Sequence, residues 1–302
     1  MNILGKRYIF FGLSLLIIIP GLLLMFTNGI PLSIDFTGGS LLEVSFSGQS
    51  PETSDIITVY DNNNIEDVQV QTSETGSYII RSQFLDNDAR DLVLGSLTEA
   101  IGEVTVVRFD SVGPSIGEQV TSRGAMAVAV SSILVVLFIA WSFRGVENAF
   151  RYGICAILAM IHDVAIIFSL TAYGSILWGW EIDSLFLTAL LTVIGFSMQD
   201  TIVVFDRIRE NSNIFRRLDY ETLVNHSIVQ TLQRSINTQL MTVEFLLLAL
   251  AMFGGITLQE FASILLIGLL SGTYSSIFTA APILVLWEKR EWTTWFRKKA
   301  IA

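Results

Sequence analysis

A small set of ionisable and amide residues interrupts stretches of this sequence that are otherwise apolar. His162 and Asp163 stand together in the middle of Tyr152–Ala172. Gln199, Asp200 and Thr201 follow an apolar run that begins at Leu185, and Arg234, Asn237, Gln239 and Glu244 mark the run after it. An ionisable group in hydrocarbon costs several kcal/mol, so each of these residues needs a partner or a task. The task that suits a lone buried carboxylate is loading and releasing a proton or cation. Burial disfavours its charge and a nearby guanidinium favours it, so its state follows its surroundings.

Asp200 with Arg234 as counter-charge is the pair that fits this description, and two readings of it stay open. One is an ion-coupling site; the other is a static ion pair at a helix end, reached by snorkelling. His162 and Asp163 either lie on an ion pathway or are structural, as a mutually satisfied pair or through hydrogen bonds to Ser or Thr on neighbouring helices. Adjacent helical positions point about 100° apart, so the two face different neighbours. Gln199 and Gln239 add oxygen donors near such a pathway. Glu244 is either a second proton or cation ligand or a protonated acid hydrogen-bonded within the bundle. Gly268, Gly272 and Ser276 form a stripe at i, i+4, i+8 that suits close helix packing or a sliding surface.

The elements that must carry these residues follow from length and charge. Of the 302 residues, 52% are hydrophobic and 15% charged, against about 25% charged in a soluble domain. Crossing a hydrocarbon core of about 30 Å takes about 20 mainly apolar residues. Six stretches qualify: Tyr8–Phe26, Ala125–Trp141, Tyr152–Ala172, Leu185–Phe205, Ile236–Phe253 and Phe261–Trp287. The first is read as a retained anchor, because its apolar run is long and Met25-Phe26-Thr27-Asn28 offers no small-x-small cleavage site. If the six alternate, 14 of the 18 Lys and Arg fall on one side, which places both termini in the cytoplasm.

Residues 27–123 hold 15 Asp or Glu against four Arg, which accounts for the net charge of −10. Their hydrophobic pattern alternates strand, helix, strand, strand, helix, strand: Leu41–Phe46, Thr53–Asp61, Asp67–Thr72, Tyr78–Phe84, Ala89–Ile101 and Glu103–Phe109. The order βαββαβ predicts a ferredoxin-like α/β domain on the exported side. The acidity suits solubility or docking of a basic or unfolded partner. The chain thus divides into residues 1–26 (N-terminus and first span), 27–123 (exported domain), 124–206 (spans two to four), 207–235 (a polar cytoplasmic amphipathic segment), 236–287 (spans five and six) and 288–302 (a basic tail). The charged run from Asp206 is expected to continue the fourth span as a solvated helix to about Asn225.

Composition also excludes several functions. A pI near 4.7 opposes a nucleic-acid partner. Cys155 is the only cysteine and there are two histidines, so no metal cluster is expected. There is no phosphate-binding GxxxxGK[ST] loop, and no catalytic residues or enzyme activity are assigned.

Six motifs, in order, resemble one family. They are Ile34-Asp35-Phe36-Thr37-Gly38-Gly39, Val112-Gly113-Pro114-Ser115-Ile116-Gly117-Glu118, Ile161-His162-Asp163-Val164, the run from Gln199 to Asn211, Thr231-Leu232-Gln233-Arg234 and Gly272-Thr273-Tyr274-Ser275-Ser276-Ile277. The chain resembles the SecD/SecF protein-export family of the resistance-nodulation-division superfamily over essentially its whole length. The resemblance implies a six-helix subunit of the bacterial cytoplasmic (inner) membrane that pairs with SecD. It also implies partnership with the SecYEG channel, YajC and an unfolded translocating preprotein. No cofactor is implied beyond H⁺ or Na⁺ as coupling ion. Asp200 matches the family's coupling carboxylate and Arg234 its basic partner. Three positions depart from the family pattern: Gln199 where Asn is usual, Gln239 where Ser or Thr is usual, and Glu244 where an apolar residue is usual. These extra oxygens make Na⁺ a candidate ion. The competing functions are half of a small-solute exporter of the same superfamily and a non-transporting assembly scaffold.

Overall fold

The structure, a computed structural model, describes residues 2–47, 50–73, 76–144, 149–239 and 245–291. The chain divides into two units, one of residues Leu32–Met126 and one of Met1–Pro31 with Ala127–Ala302.

In the first unit, a short helix α2 (Ile34–Thr37) leads into β1 (Gly39–Phe46), α3 (Thr53–Asn62), β2 (Gln69–Thr72), β3 (Tyr78–Ser82), α4 (Asn87–Ala100) and β4 (Val104–Val112). All neighbouring strands pair antiparallel, in the order β2-β3-β1-β4. This is the ferredoxin-like order expected from the βαββαβ pattern. Local chemistry sets the helix starts: Glu52 and Asp55 form a capping box on α3, and the Asp86 carboxylate accepts from the Ala89 N–H of α4. Leu42, Val44, Ile56, Tyr60, Ile80, Val93 and Leu97 form the core between sheet and helices. Two of the sequence motifs interlock here. Gly38 and Gly39 take positive φ of 73° and 118°, a region that L side chains avoid. Gly117 packs so closely that a Cβ on it would stand 2.7 Å from the Gly38 nitrogen.

The second unit is helical. The described residues contain five helices long and apolar enough to cross a membrane: Leu4–Asn28, Pro114–Ser142, Ala149–Trp178, Ser184–Ile214 and Leu258–Glu288. They correspond, in turn, to α1 (Arg7–Asn28), α5 (Pro114–Ser142), α6 (Ala149–Trp178), α7 (Ser184–Ile214) and the tract of α10 (Ile256–Ser275), a π-helical turn (Ser276–Ala280) and α11 (Ala281–Glu288). The expected span Ile236–Phe253 includes residues 240–244, which lie outside the described residues. On either side of them the chain is helical, in α8 (Tyr220–Gln239) and α9 (Phe245–Phe253).

One expectation is corrected. The fourth helix does not continue to Asn225: α7 ends at Ile214, and a new helix, α8, begins at Tyr220. That second helix is not simply solvated. Leu223, Val224, Ile228 and Thr231 are buried, and Asn211, itself buried, donates to Ser227 Oγ at 2.8 Å and Gln230 Oε1 at 2.9 Å. The polar composition of the segment hides one apolar stripe, and a helix with such a stripe folds back to bury it.

Candidate ion-coupling site

Asp183 caps α7, its carboxylate accepting from the Phe186 N–H at 2.7 Å. Small and apolar residues then pack the helix inward, and Val193, Ser197, Asp200, Thr201 and Val204 are all buried. The Asp200 carboxyl meets side chains from two other helices, Ser235 and Gln239 of α8 and Thr273 of α10. Its Oδ2 is buried without a hydrogen-bond partner, as are Thr201 Oγ1, Ser235 Oγ and Gln239 Oε1. Unsatisfied buried polar atoms are rare and cost about 1–3 kcal/mol each. Two of these residues, Ser235 and Gln239, stand beside the Asp200 carboxyl, and with it they make a place where an added proton or cation would complete the bonding. Gln239 and Thr273 also line a mainly apolar groove of about 280 Å³, with Leu232, Ile236, Leu270 and Ile277.

Arg234 stands exposed on α8 and acts on Asp200 as a charge through space. Gln199 is exposed while its neighbour Asp200 is buried, so the two side chains do not share one environment. Glu244 lies outside the described residues.

His162 and Asp163 form a separate centre. Asp163 is 1% exposed. Its Oδ1 accepts from Ser271 Oγ at 2.8 Å and lies 3.1 Å from His162 Nδ1. Its Oδ2 accepts from Ser275 Oγ at 2.6 Å and from Ser197 Oγ. His162 Nε2 meets Ser14 Oγ of α1 at 2.9 Å, and its ring stacks on Tyr274, whose hydroxyl donates to the Phe10 carbonyl at 2.8 Å. The two side chains thus meet each other as well as hydroxyls on neighbouring helices. Nothing in the sequence singled out Ser197 or Ser271, and Ser275 stood there only as part of a motif. Ser271 and Ser275 are four apart, beside Gly268 and Gly272, and that spacing was the available signal.

The glycine stripe faces α7. A Cβ on Gly268 would stand 2.4 Å from Val193 Cγ2, and one on Gly272 would stand 3.0 Å from Ser197 Cβ. Ser276 is buried in the π-helical turn and donates to the Thr273 carbonyl at 2.9 Å.

Comparison with known proteins fits this architecture. The family model described as "Protein export membrane protein SecD/SecF, C-terminal" matches residues 93–290, and the "SecD/SecF GG Motif" model matches residues 23–49. The chain belongs to the SecD/SecF family. A protein translocase subunit SecF from Anaerolinea thermophila is 59% identical over 99% of this chain and 98% of its own length. Another from Thermobaculum terrenum is 41% identical over 99% and 97%. The crystal structure of SecDF from Thermus thermophilus superposes with a TM-score of 0.80 at 32% identity, over 96% of this chain. The chain spans 39% of that longer SecDF chain. The Gly38-Gly39 turn and the five apolar helices thus sit in a multi-pass membrane-protein family whose motifs the sequence already carried.

Proposed function

We propose that this chain is the SecF-type subunit of the Sec protein translocase and uses a transmembrane ion gradient, of H⁺ or Na⁺, to promote preprotein export across the bacterial inner membrane. Its partners in this reading are SecD, the SecYEG channel, YajC and the unfolded translocating chain. Both termini are cytoplasmic and the α/β unit is exported. The subunit performs no chemical conversion. Ion binding at Asp200 changes its balance with Arg234, shifts α7 against α10, and moves the exported unit. The observation that carries the reading is the buried Asp200 carboxyl with an unpartnered Oδ2, on the helix that bears the family's longest motif. A bound ion shifts a conformational equilibrium only by its differential affinity for the two states. The membrane potential supplies direction, at about 2.3 kcal/mol per charge per 100 mV.

The test is preprotein export into vesicles containing this chain, SecD and SecYEG, with ΔpH or ΔNa⁺ imposed separately. Asp200→Asn is expected to insert and to co-purify with SecD, yet to lose the gradient-dependent part of export. Export by that variant with the full gradient dependence of the wild type overturns the coupling role.

A further inference from the structure

Asp163 and Asp200 are both buried carboxylates, and their surroundings are opposite. Asp200 has an unpartnered Oδ2 and neighbours that line a groove. Asp163 has four polar contacts, two on each oxygen. A carboxylate offers about four acceptor directions, so nothing is left on Asp163 for an additional ligand. Its titratable neighbours are His162 on its own helix and, through that ring, Tyr274 on α10.

The partners of Asp163 lie next to the Asp200 site on both of its walls. Ser197 precedes Asp200 by three residues on α7. Ser271 and Ser275 bracket Thr273, the α10 residue that meets the Asp200 carboxyl. One helical turn is about 5.4 Å, so a displacement of Ser197 or of the Ser271/Ser275 pair carries Asp200 or Thr273 with it. The glycine seam leaves little slack, since the Gly272 backbone already lies against Ser197. On its far side the centre is tied to α1 through Ser14. Helices α1 and α6 are fastened again further along, where Tyr173 OH donates to the Ile17 carbonyl at 2.9 Å and Ser169 Oγ to the Ile18 carbonyl at 3.2 Å. A Cβ on Gly21 would stand 2.3 Å from Ser169 Cβ.

We infer that Asp163 is a positioning residue: through Ser197, Ser271 and Ser275 it holds the two helices that form the Asp200 site in register with the α1/α6 pair, and it does not itself carry the ion. This inference rests on the coupling role of Asp200 proposed above. It makes the polar knot the point at which a shift of α7 or α10 reaches α1, the helix that precedes the exported unit in the chain.

The experiment uses the full chain with SecD and SecYEG in proteoliposomes and two readouts. The first is the ion concentration at half-maximal stimulation of export, under imposed ΔpH and ΔNa⁺. The second is the distance distribution between spin labels at Leu16→Cys on α1 and Thr188→Cys on α7, both exposed positions; the native Cys155 is buried. Asp163→Asn is expected to keep stimulation but shift its midpoint by about tenfold, within the usual range of coupling between sites. The Ser271→Ala/Ser275→Ala double variant should shift it the same way by less. Both should broaden the α1–α7 distance distribution. An unchanged midpoint and distribution in Asp163→Asn overturn the inference. Complete loss of stimulation in Asp163→Asn, with wild-type behaviour in the serine variants, also overturns it by making Asp163 an ion carrier. If Asp163→Asn does not assemble with SecD, the serine variants decide by the same two readouts. Full gradient dependence in Asp200→Asn would defeat the coupling role alone, and the distance measurement would still decide whether Asp163 holds the helices.

Discussion

At the residue scale, the ion pairs at the start of α1 show how the basic residues of a membrane protein can do more than set orientation. Arg7 bonds Glu221 at 2.9 Å and Glu291 at 2.6 Å, and Lys289 bonds Glu221 at 2.6 Å. The hydrogen bond from Lys289, with help from Arg7, holds the Glu221 carboxyl below its ordinary range, and the same contact raises the Lys289 ammonium. A carboxylate depressed in the folded state stabilises above its unfolded pKa, about 4.3 for Glu, and that contribution disappears as pH falls through the folded value. The raised Lys289 contributes below its unfolded pKa, about 10.4, and loses its effect as pH rises through the folded value. Stability measured by thermal unfolding in detergent should therefore fall off at both ends. Glu221→Gln should flatten the acid limb and cost about 0.5–1 kcal/mol near neutral pH, since the cluster is partly solvated and screened. An acid limb identical to that of the wild type would show that Glu221 is not the group responsible.

At the scale of elements, the α7/α10 contact is where sequence pattern and packing meet most directly. Gly268 and Gly272 were recognisable from their spacing alone, but their partners Val193 and Ser197 were not. Replacing Gly272 with Val puts a branched side chain where even a Cβ would lie 3.0 Å from Ser197 Cβ and 3.1 Å from its Cα. Overpacking of this kind costs about 1–3 kcal/mol, and here it also presses on the Ser197–Asp163 bond. Gly272→Val is expected to lower the unfolding temperature and to impair gradient-stimulated export, whereas Gly195→Ala on α7, where a Cβ meets nothing within 4 Å, should leave both unchanged. Pro20 illustrates the same coupling on α1. It removes one backbone donor from the helix interior, and Tyr173 and Ser169 bond the nearby Ile17 and Ile18 carbonyls. The helix runs on through Pro20, held by its neighbour as well as by its own ladder.

At the scale of the whole molecule, the two units are stabilised by different means. The α/β unit has a core of its own, built from Leu42, Ile56, Tyr60, Ile80, Leu97 and their neighbours. Residues 32–126 expressed alone are expected to fold, with a cooperative urea transition followed by circular dichroism. Leu97→Ala should lower that transition by about 2–4 kcal/mol, the usual cost of emptying a fully buried leucine site. A non-cooperative melt would mean that the unit depends on the helical part of the chain. The helical unit has no comparable hydrophobic drive, because lipid tails are as apolar as its side chains. Close approach at glycines and serine-mediated hydrogen bonds hold such bundles together, and both are concentrated around Asp163.

Whatever depends on local order along the chain was legible in the residues alone. Spans follow from the length of apolar runs, the α/β unit from alternation and turn residues, and the family from six motifs whose spacing is read without coordinates. The sequence also singled out Asp163 and Asp200, because a charge in an apolar run is conspicuous wherever the helix points. It did not determine which groups meet. Transmembrane helices are apolar on nearly every face, so their periodicity says little about orientation, and the partner of a buried carboxylate depends on register between helices far apart in sequence. It is packing in three dimensions that encloses Asp163 with three serines from two other helices, folds α8 back on Asn211, and leaves Arg234 exposed while Asp200 is buried with one oxygen unpartnered.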